Sequence, residues 1–217
     1  MSRELCEQTV AREFWTTQES YPSYDYLEER CFCDARFILS HIQGCRSYLD
    51  LGCGEGNTAL MLLDLCEVTK FYMIDQNPHF LKNLERVWDR CKAQPQLSIQ
   101  VGDILAAGAW TLPATDVTVL FGVLPYIFTS GSVKDLLENI HSNLVLIRTP
   151  CAIEQSLLFN NYSEKLQDEY AAYYRSLPET VELISQSLDI QEMVRIWPDN
   201  IESAYGTRQY AFVCRRR

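Results

Sequence analysis

The middle of the chain alternates short apolar runs with stretches whose apolar residues recur every three or four positions. The apolar runs predict five strands: Ser47–Leu51, Lys70–Asp75, Leu97–Val101, Asp116–Phe121 and Leu144–Arg148, the last ended by Pro150. The stretches between them predict three helices: Asn57–Cys66, His79–Cys91 and Ser132–Asn143, with Pro78 opening the second and Ser132 capping the third. This alternation predicts an α/β fold in which helices cover both faces of a parallel sheet.

The segments on either side of this core carry different patterns. The first 46 residues are mostly helical, and a tyrosine-rich turn within them suits a movable lid. Glu154–Ser187 is predicted to be a long helical insert, because its tyrosines recur at helical spacing. Ile190–Ile196 and Gln209–Cys214 are predicted to be two closing strands that form a hairpin. We therefore expect one domain in four parts: a helical cover (1–46), a core (47–148), a helical insert (149–188) and closing strands (189–217).

The turn after the first strand holds three closely spaced glycines. It reads Asp50-Leu-Gly52-Cys-Gly54-Glu-Gly56. Glycine permits a positive φ and lets a ligand approach the backbone without meeting a Cβ, and ligands of open α/β sheets bind at this edge. The spacing differs from the G-x-G-x-x-G of dinucleotide-binding turns, and the Lys-Ser/Thr pair of a phosphate loop is missing. A tight turn without a ligand is the alternative interpretation.

This turn resembles the D-x-G-x-G-x-G motif of class I S-adenosylmethionine-dependent methyltransferases. The resemblance covers roughly Ser47–Arg148. It implies a Rossmann-like, doubly wound sheet of seven strands, mostly parallel and ending in an antiparallel hairpin, with 47–148 as the cofactor-binding core. It also implies S-adenosyl-L-methionine as the cofactor. In that family the turn contacts the methionine part, so Asp50 would hold the ammonium, and N–H groups at the start of the next helix would suit the carboxylate.

The resemblance also implies contacts to the adenosine part of the cofactor. Asp75 ends the second strand, and its carboxylate can accept hydrogen bonds from both ribose hydroxyls; a helix cap is the alternative role. Asp103 is expected to bind the adenine amino group and Ile104 to pack on the ring, whereas an Asx-turn is the alternative for Asp103. The predicted cofactor-binding residues are Asp50, Gly52, Cys53, Gly54, Gly56, Asn57, Asp75, Gln76, Asp103, Ile104 and Phe121.

Substrate contacts are less well defined by the sequence. Methyltransferases acting on adenine or glutamine carry [N/D]-P-P-[Y/F] after the fourth strand, whereas this chain has Val123-Leu124-Pro125-Tyr126, which argues against those substrates. Aromatic and basic residues are candidate substrate contacts, with simple packing as the alternative: Tyr24, Tyr26, Arg30, Tyr126, Tyr205 and Arg208. No catalytic base and no metal site are predicted, and none of the three histidines, His41, His79 and His141, is a strong candidate for the base.

Composition narrows the class of methyl acceptor. The net charge is −10, from 19 basic and 29 acidic residues, which disfavours nucleic acid as a partner. We expect biosynthetic methylation of an oxygen or nitrogen on a sugar, a natural-product intermediate or another metabolite. A cofactor-binding protein without turnover and a protein or tRNA methyltransferase are the alternatives. The cysteines are scattered, and the chain shows neither a signal-peptide pattern nor an apolar window of about 18 residues. These features favour a cytoplasmic protein without membrane partners. We also expect a monomer or homodimer.

Overall fold

The computed structural model describes residues 3–22, 26–91, 95–106, 111–163, 166, 168–202 and 206–217. The first half contains α1 (Arg3–Thr17), α2 (Leu27–His41), β1 (Ser47–Leu51), α3 (Asn57–Leu60), β2 (Lys70–Asp75), α4 (Pro78–Trp88) and β3 (Gln96–Val101). The second half contains β4 (Val117–Phe121), α5 (Ser130–Glu138), β5 (Leu144–Ala152), β6 (Leu157–Ser163), β7 (Asp168–Tyr174), α6 (Leu177–Ser185), β8 (Leu188–Arg195) and β9 (Thr207–Arg216). None of the described helices is long and apolar enough to cross a membrane.

Seven of the described strands form one sheet, in the order β3-β2-β1-β4-β5-β9-β8. Strands β1 to β5 pair in parallel, and β9 lies antiparallel between β5 and β8. The strand order reverses between β1 and β4, so the loops that follow these two strands diverge and leave a crevice at their carboxyl ends. The predicted Rossmann-like sheet with an antiparallel closing hairpin is confirmed.

Both faces of this sheet are covered, as the continuous apolar strands predict. Tyr48 and Leu49 are neighbours in β1 whose side chains point to opposite faces, and both are fully buried. Tyr48 packs in a cluster with residues of α2, α3 and α4. Leu49 packs in a second cluster with residues of α5 and α6. A strand that is buried on both faces has no polar side to display, which is why the sequence of β1 lacks alternation.

The prediction of a helical insert at Glu154–Ser187 is wrong for most of that segment. Strands β6 and β7 pair as a separate antiparallel hairpin, and only α6, Leu177–Ser185, is helical. The buried residues Tyr170, Ala172 and Tyr174 lie two positions apart and pack against Phe14 of α1. This period of two is the strand pattern; the pair Tyr170 and Tyr174 also satisfies helical spacing, and the two patterns are ambiguous over so short a run.

Several predicted element ends also shift. The helix after β1 is a single turn, α3, instead of extending to Cys66. Helix α5 begins at Ser130 because the hydroxyl of Thr129, rather than that of Ser132, is its N-cap and accepts a hydrogen bond from the Ser132 N–H at 3.1 Å. Strand β5 continues through Pro150 instead of ending before it. The pairing with β4 stops at Arg148, so Pro150 interrupts no hydrogen bond to β4.

Candidate active site

The glycine turn between β1 and α3 adopts a conformation that side chains would disrupt. Gly52, Gly54 and Gly56 have φ values of +74°, +56° and +70°. A Cβ on Gly52 would lie 2.5 Å from Cγ2 of Val123, and one on Gly56 would lie 2.6 Å from Cδ1 of Leu84. Tight packing of the turn therefore requires glycine at both positions, independently of any ligand.

Asp75 ties this turn to the end of β2. Its Oδ2 accepts a hydrogen bond from the Gly54 N–H at 2.8 Å, and its Oδ1 accepts one from the Asn77 N–H at 2.9 Å. Asp75 is 8% exposed, and burial raises the pKa of its carboxyl group, although the backbone N–H groups of Asn77, Gly54 and Gln76 oppose that shift. An ionised carboxylate has about four acceptor sites, so Asp75 keeps room for a further hydrogen bond.

The first of two adjoining cavities lies beneath helix α1, and we call it the α1 cavity. Its volume is about 250 Å³. Seven of the predicted cofactor-binding residues line it: Gly52, Gly54, Asp75, Gln76, Asp103, Ile104 and Phe121. Helix α1 contributes Gln8, Arg12 and Trp15 to its wall. The carboxyl ends of β1, β2, β3 and β4 thus meet in one cavity, as parallel strands of one sheet require.

Asp103 has two contacts within the α1 cavity wall. Its Oδ1 accepts a hydrogen bond from the Leu105 N–H at 2.9 Å, which is the Asx-turn expected as an alternative role. Its Oδ2 lies 3.4 Å from Nη1 of Arg12 in α1. Asp103 therefore both shapes its own loop and contacts the helix that covers the cavity.

The second cavity lies beside helix α2, and we call it the α2 cavity. Its volume is about 360 Å³. The residues predicted to bind cofactor or substrate that line it are Asp50, Gly52, Cys53, Asn57, Phe121, Tyr26, Arg30 and Tyr126. It shares walls with the α1 cavity: Tyr21, Gly52, Phe121, Gly122 and Tyr126 line both.

Four predicted site residues are not placed in either cavity. Gly56 lines neither of them, and it supports the turn only through its packing on Leu84. Arg208, expected to contact the substrate, instead lies 3.8 Å from Oδ1 of Asp199. Tyr24 and Tyr205 fall outside the described residues.

Asp50 is a buried carboxyl group at the wall of the α2 cavity. Only 6% of the residue is exposed, and the hydroxyl of Tyr48 donates a hydrogen bond to its Oδ2 at 3.2 Å. Burial raises the pKa of Asp50 to about 7; the Tyr48 hydrogen bond lowers it, and the nearby Asp75 raises it. A cationic group placed beside Asp50 would stabilise its ionised form.

A buried ionic cluster in the α2 cavity was not predicted from the sequence. Nη2 of Arg148 lies 3.1 Å from Oδ2 of Asp34, whose Oδ1 accepts a hydrogen bond from the Trp197 indole N–H at 3.0 Å. Nη1 of Arg148 donates to Oε1 of Gln209 at 3.2 Å. The only available signal was a charged residue, Arg148, continuing the apolar run of β5.

A chain of tyrosine hydroxyls forms another wall of the α2 cavity. The Tyr126 and Tyr170 hydroxyls are 2.9 Å apart, and those of Tyr170 and Tyr174 are 3.2 Å apart. Burial raises the pKa of Tyr126 and that of Tyr170 well above the ordinary value, so both stay neutral. The β6–β7 hairpin brings Tyr170 and Tyr174 here, so its misassignment as a helix hid this wall.

Helix α1 is held over its cavity by hydrogen bonds from two polar side chains, one in the core and one in α1 itself. The side-chain amide of Asn77 donates hydrogen bonds to the carbonyl oxygens of Trp15 at 2.7 Å and Gln18 at 2.8 Å. Gln8 donates from Nε2 to the Tyr126 carbonyl oxygen at 2.6 Å. The cover predicted for the first 46 residues therefore has defined attachment points.

Comparisons with known proteins agree with this architecture. Residues 49–145 match a family model described as a methyltransferase domain. No curated protein sequence matches the chain. Among solved structures, a SAM-dependent methyltransferase from Leishmania major aligns with 96% of this chain and 83% of its own, at 15% identity and a TM-score of 0.72.

Two further solved structures have named substrates. Geranyl diphosphate C-methyltransferase from Streptomyces coelicolor A3(2), solved with Mg²⁺, geranyl diphosphate and S-adenosyl-L-homocysteine, aligns over 97% of this chain and 98% of its own (12% identity, TM-score 0.68). The 1,6-didemethyltoxoflavin-N1-methyltransferase from Burkholderia thailandensis aligns over 88% and 79% (14% identity, TM-score 0.65). These similarities confirm the predicted resemblance: the fold is that of S-adenosylmethionine-dependent methyltransferases.

Proposed function

We propose that this protein, whose residues 49–145 form a methyltransferase domain, transfers the methyl group of S-adenosyl-L-methionine to an oxygen or nitrogen atom of a small molecule. The observation that carries the proposal is the pair of adjoining cavities with shared walls at Gly52 and Phe121. The α1 cavity offers the carboxylate of Asp75 to ribose hydroxyls, and the α2 cavity offers Asp50 to an ammonium group. These two acceptors fit the hydroxyl and ammonium donors of the cofactor.

The α2 cavity supports a small methyl acceptor. Its volume of about 360 Å³ lies within the range of small-molecule sites. Its wall combines aromatic faces with neutral hydroxyl groups, such as those of Tyr126 and Tyr170. A concave site of this size suits a metabolite better than a nucleic-acid strand or a protein surface, and the acidic net charge of −10 points in the same direction.

The contribution of the protein to the reaction is mainly positioning. Bound S-adenosylmethionine supplies an electrophilic methyl group on a sulfonium. The cavity walls must hold the acceptor atom in line with that methyl group, and a well-oriented pair of reactants gains a large rate advantage. The buried tyrosine hydroxyls can orient an acceptor through hydrogen bonds, and the cover formed by α1 limits access of water. No residue is assigned as a catalytic base.

Two measurements test this proposal. In a thermal-shift assay, saturating S-adenosylhomocysteine is expected to raise the melting temperature, whereas NAD and ATP are not, because a ligand that binds only the folded state stabilises it. Incubation with methyl-labelled cofactor and a metabolite extract is expected to label a small molecule. A shift with NAD alone would contradict the cofactor, label found only in protein or tRNA would contradict the acceptor class, and cofactor binding without any labelled product would indicate a catalytically silent protein.

A further inference from the structure

We infer that Arg148 binds the carboxylate of the cofactor's aminoacyl group, opposite Asp50 at its ammonium. This inference rests on the proposed function and deepens it. The sequence placed that carboxylate at the start of the helix after the glycine turn, but α3 is only the four residues Asn57–Leu60. So short a helix carries little macrodipole. A cationic side chain would add the charge that the backbone N–H groups of so short a helix lack.

The guanidinium of Arg148 has donors left over, because its contacts with Gln209 and Asp34 use only two of its five N–H groups. Nη1 bonds to Gln209 and Nη2 to Asp34, whereas the buried Nε has no hydrogen-bond partner among the described residues. A buried donor without an acceptor is costly. A carboxylate of a ligand in the α2 cavity, which Arg148 lines, would accept from the unused N–H groups on Nη1 and Nη2.

The guanidinium is also held in a fixed orientation. Its Cζ lies 5.4 Å from the ring centroid of Phe121 and 5.0 Å from that of Trp197. Phe121 lies at the end of β4, directly beside Arg148 in the sheet register, and lines both cavities. The donor is thus preorganised next to the wall where the two cavities adjoin, which reduces the entropy lost on binding.

The charges around the α2 cavity complement a zwitterion. Burial raises the pKa of Asp34, and Arg148 and, more weakly, Arg30 oppose that rise, so one carboxylate faces two guanidinium groups. These two guanidinium groups favour a carboxylate beside the part of the cavity wall that they form. On the other side Asp50 favours an ammonium, and Arg148 is the cation that acts on Asp50.

The other arginines near the cavities are less suitable. Nε of Arg30 already donates to the Ile201 carbonyl oxygen at 2.9 Å. Arg12 is paired with Asp103 in the wall of the α1 cavity, on the side of the residues predicted to bind adenosine. Arg30 also lines the α2 cavity, but Arg148 lies beside Phe121, which lines both cavities, so we assign the carboxylate to Arg148 and test Arg30 as the rival.

Two ligands that differ only in the carboxylate test this assignment by calorimetry. S-adenosylhomocysteine carries the carboxylate, and S-adenosyl-3-thiopropylamine lacks it but keeps the adenosine, the sulfur and the ammonium. We expect the unmodified protein to prefer S-adenosylhomocysteine by about 10- to 100-fold, as a charge-assisted hydrogen bond implies. Arg148→Met is expected to abolish that preference, whereas the matched Arg30→Met variant, in the same cavity, is expected to retain it.

Each outcome decides the matter. Equal binding of both ligands by the unmodified protein, or a preference that survives in Arg148→Met, would overturn the role of Arg148 while leaving the proposed function intact. Binding of neither ligand would overturn the proposed function as well. If Arg148→Met fails to fold because Asp34 loses its partner, Arg148→Lys keeps a positive charge beside Asp34 but lacks the planar set of guanidinium N–H donors. It is expected to lose part of the preference, and an unchanged preference would count against the inference.

Discussion

The Asp75 carboxylate and the Gly54 backbone N–H are joined by a hydrogen bond of 2.8 Å. The end of β2 and the glycine turn after β1 therefore form one unit, although the two residues are 21 positions apart. The backbone N–H groups of Gly52 and Cys53 add bonds to the Ile74 carbonyl oxygen at 2.8 and 3.1 Å. A substitution in either segment should consequently affect both the turn and the carboxylate.

Replacing Asp75 with alanine should weaken cofactor binding. The variant removes the acceptor proposed for the ribose hydroxyls, and we expect a loss of roughly 1.5–3 kcal/mol in the binding free energy of S-adenosylhomocysteine. Calorimetric titration measures this directly. Asp116→Ala is a matched control, because Asp116 also accepts backbone N–H bonds, from Arg46 at 2.7 Å and Ser47 at 2.8 Å, but lines neither cavity. Equal affinity losses in both variants would remove Asp75 from the site.

Replacing Gly52 with alanine should destabilise the fold through a clash as well as through backbone strain. The new Cβ would meet Val123 at 2.5 Å, whereas Gly44, with a similar φ of +79°, has nothing within 4 Å. We expect Gly44→Ala to cost about 1–2 kcal/mol in unfolding free energy from strain alone, and Gly52→Ala to cost about 1–3 kcal/mol more. Urea denaturation measures the unfolding free energy of both variants. An equal loss in both would show that the Val123 side chain moves aside without destabilising the fold.

Replacing Asn77 with serine should loosen helix α1 without loosening α4. Asn77 caps α4 through its Oδ1, which accepts from the His79 N–H at 2.8 Å, and a serine hydroxyl can replace this cap. Serine has no amide group, so the hydrogen bonds from the Asn77 side chain to the Trp15 and Gln18 carbonyl oxygens are lost. Hydrogen–deuterium exchange should therefore accelerate in 3–22 and stay unchanged in α4. Faster exchange in α4 but not in α1 would contradict the role of Asn77 in holding the cover.

Cofactor affinity should depend on pH through Asp50. Because the pKa of Asp50 in the free protein is about 7, lowering the pH below 7 protonates the carboxyl group and removes its attraction for an ammonium. We expect the affinity for S-adenosylhomocysteine to rise from pH 5.5 to about pH 7 and then level off, with a slope approaching tenfold per pH unit on the acidic side. In Asp50→Asn the affinity should be lower and flat over this range. The same slope in both proteins would assign the titration to another group.

The sequence predicted the elements whose signals are local. Strands β1 and β2 have the predicted bounds, Ser47–Leu51 and Lys70–Asp75, because strands buried on both faces are mainly apolar. The spacing of the glycines identified the turn, since positive φ is a property of single residues. The β6–β7 hairpin was missed because Tyr170 and Tyr174 satisfy two periodicities, and only packing against Phe14 of α1 distinguishes them.

The sequence by itself determined the order of strands and helices from β1 to β5, the glycine turn and the acidic residues near the strand ends, because each depends on the chemistry of neighbouring residues. Only the tertiary structure decided which distant side chains share a cavity. Arg148 and Asp34 are 114 positions apart (148 − 34) yet lie 3.1 Å from each other, since α2 packs across the same face of the sheet from which Arg148 projects. A buried ion pair of this kind depends on how elements stack, and no periodicity along the chain encodes that.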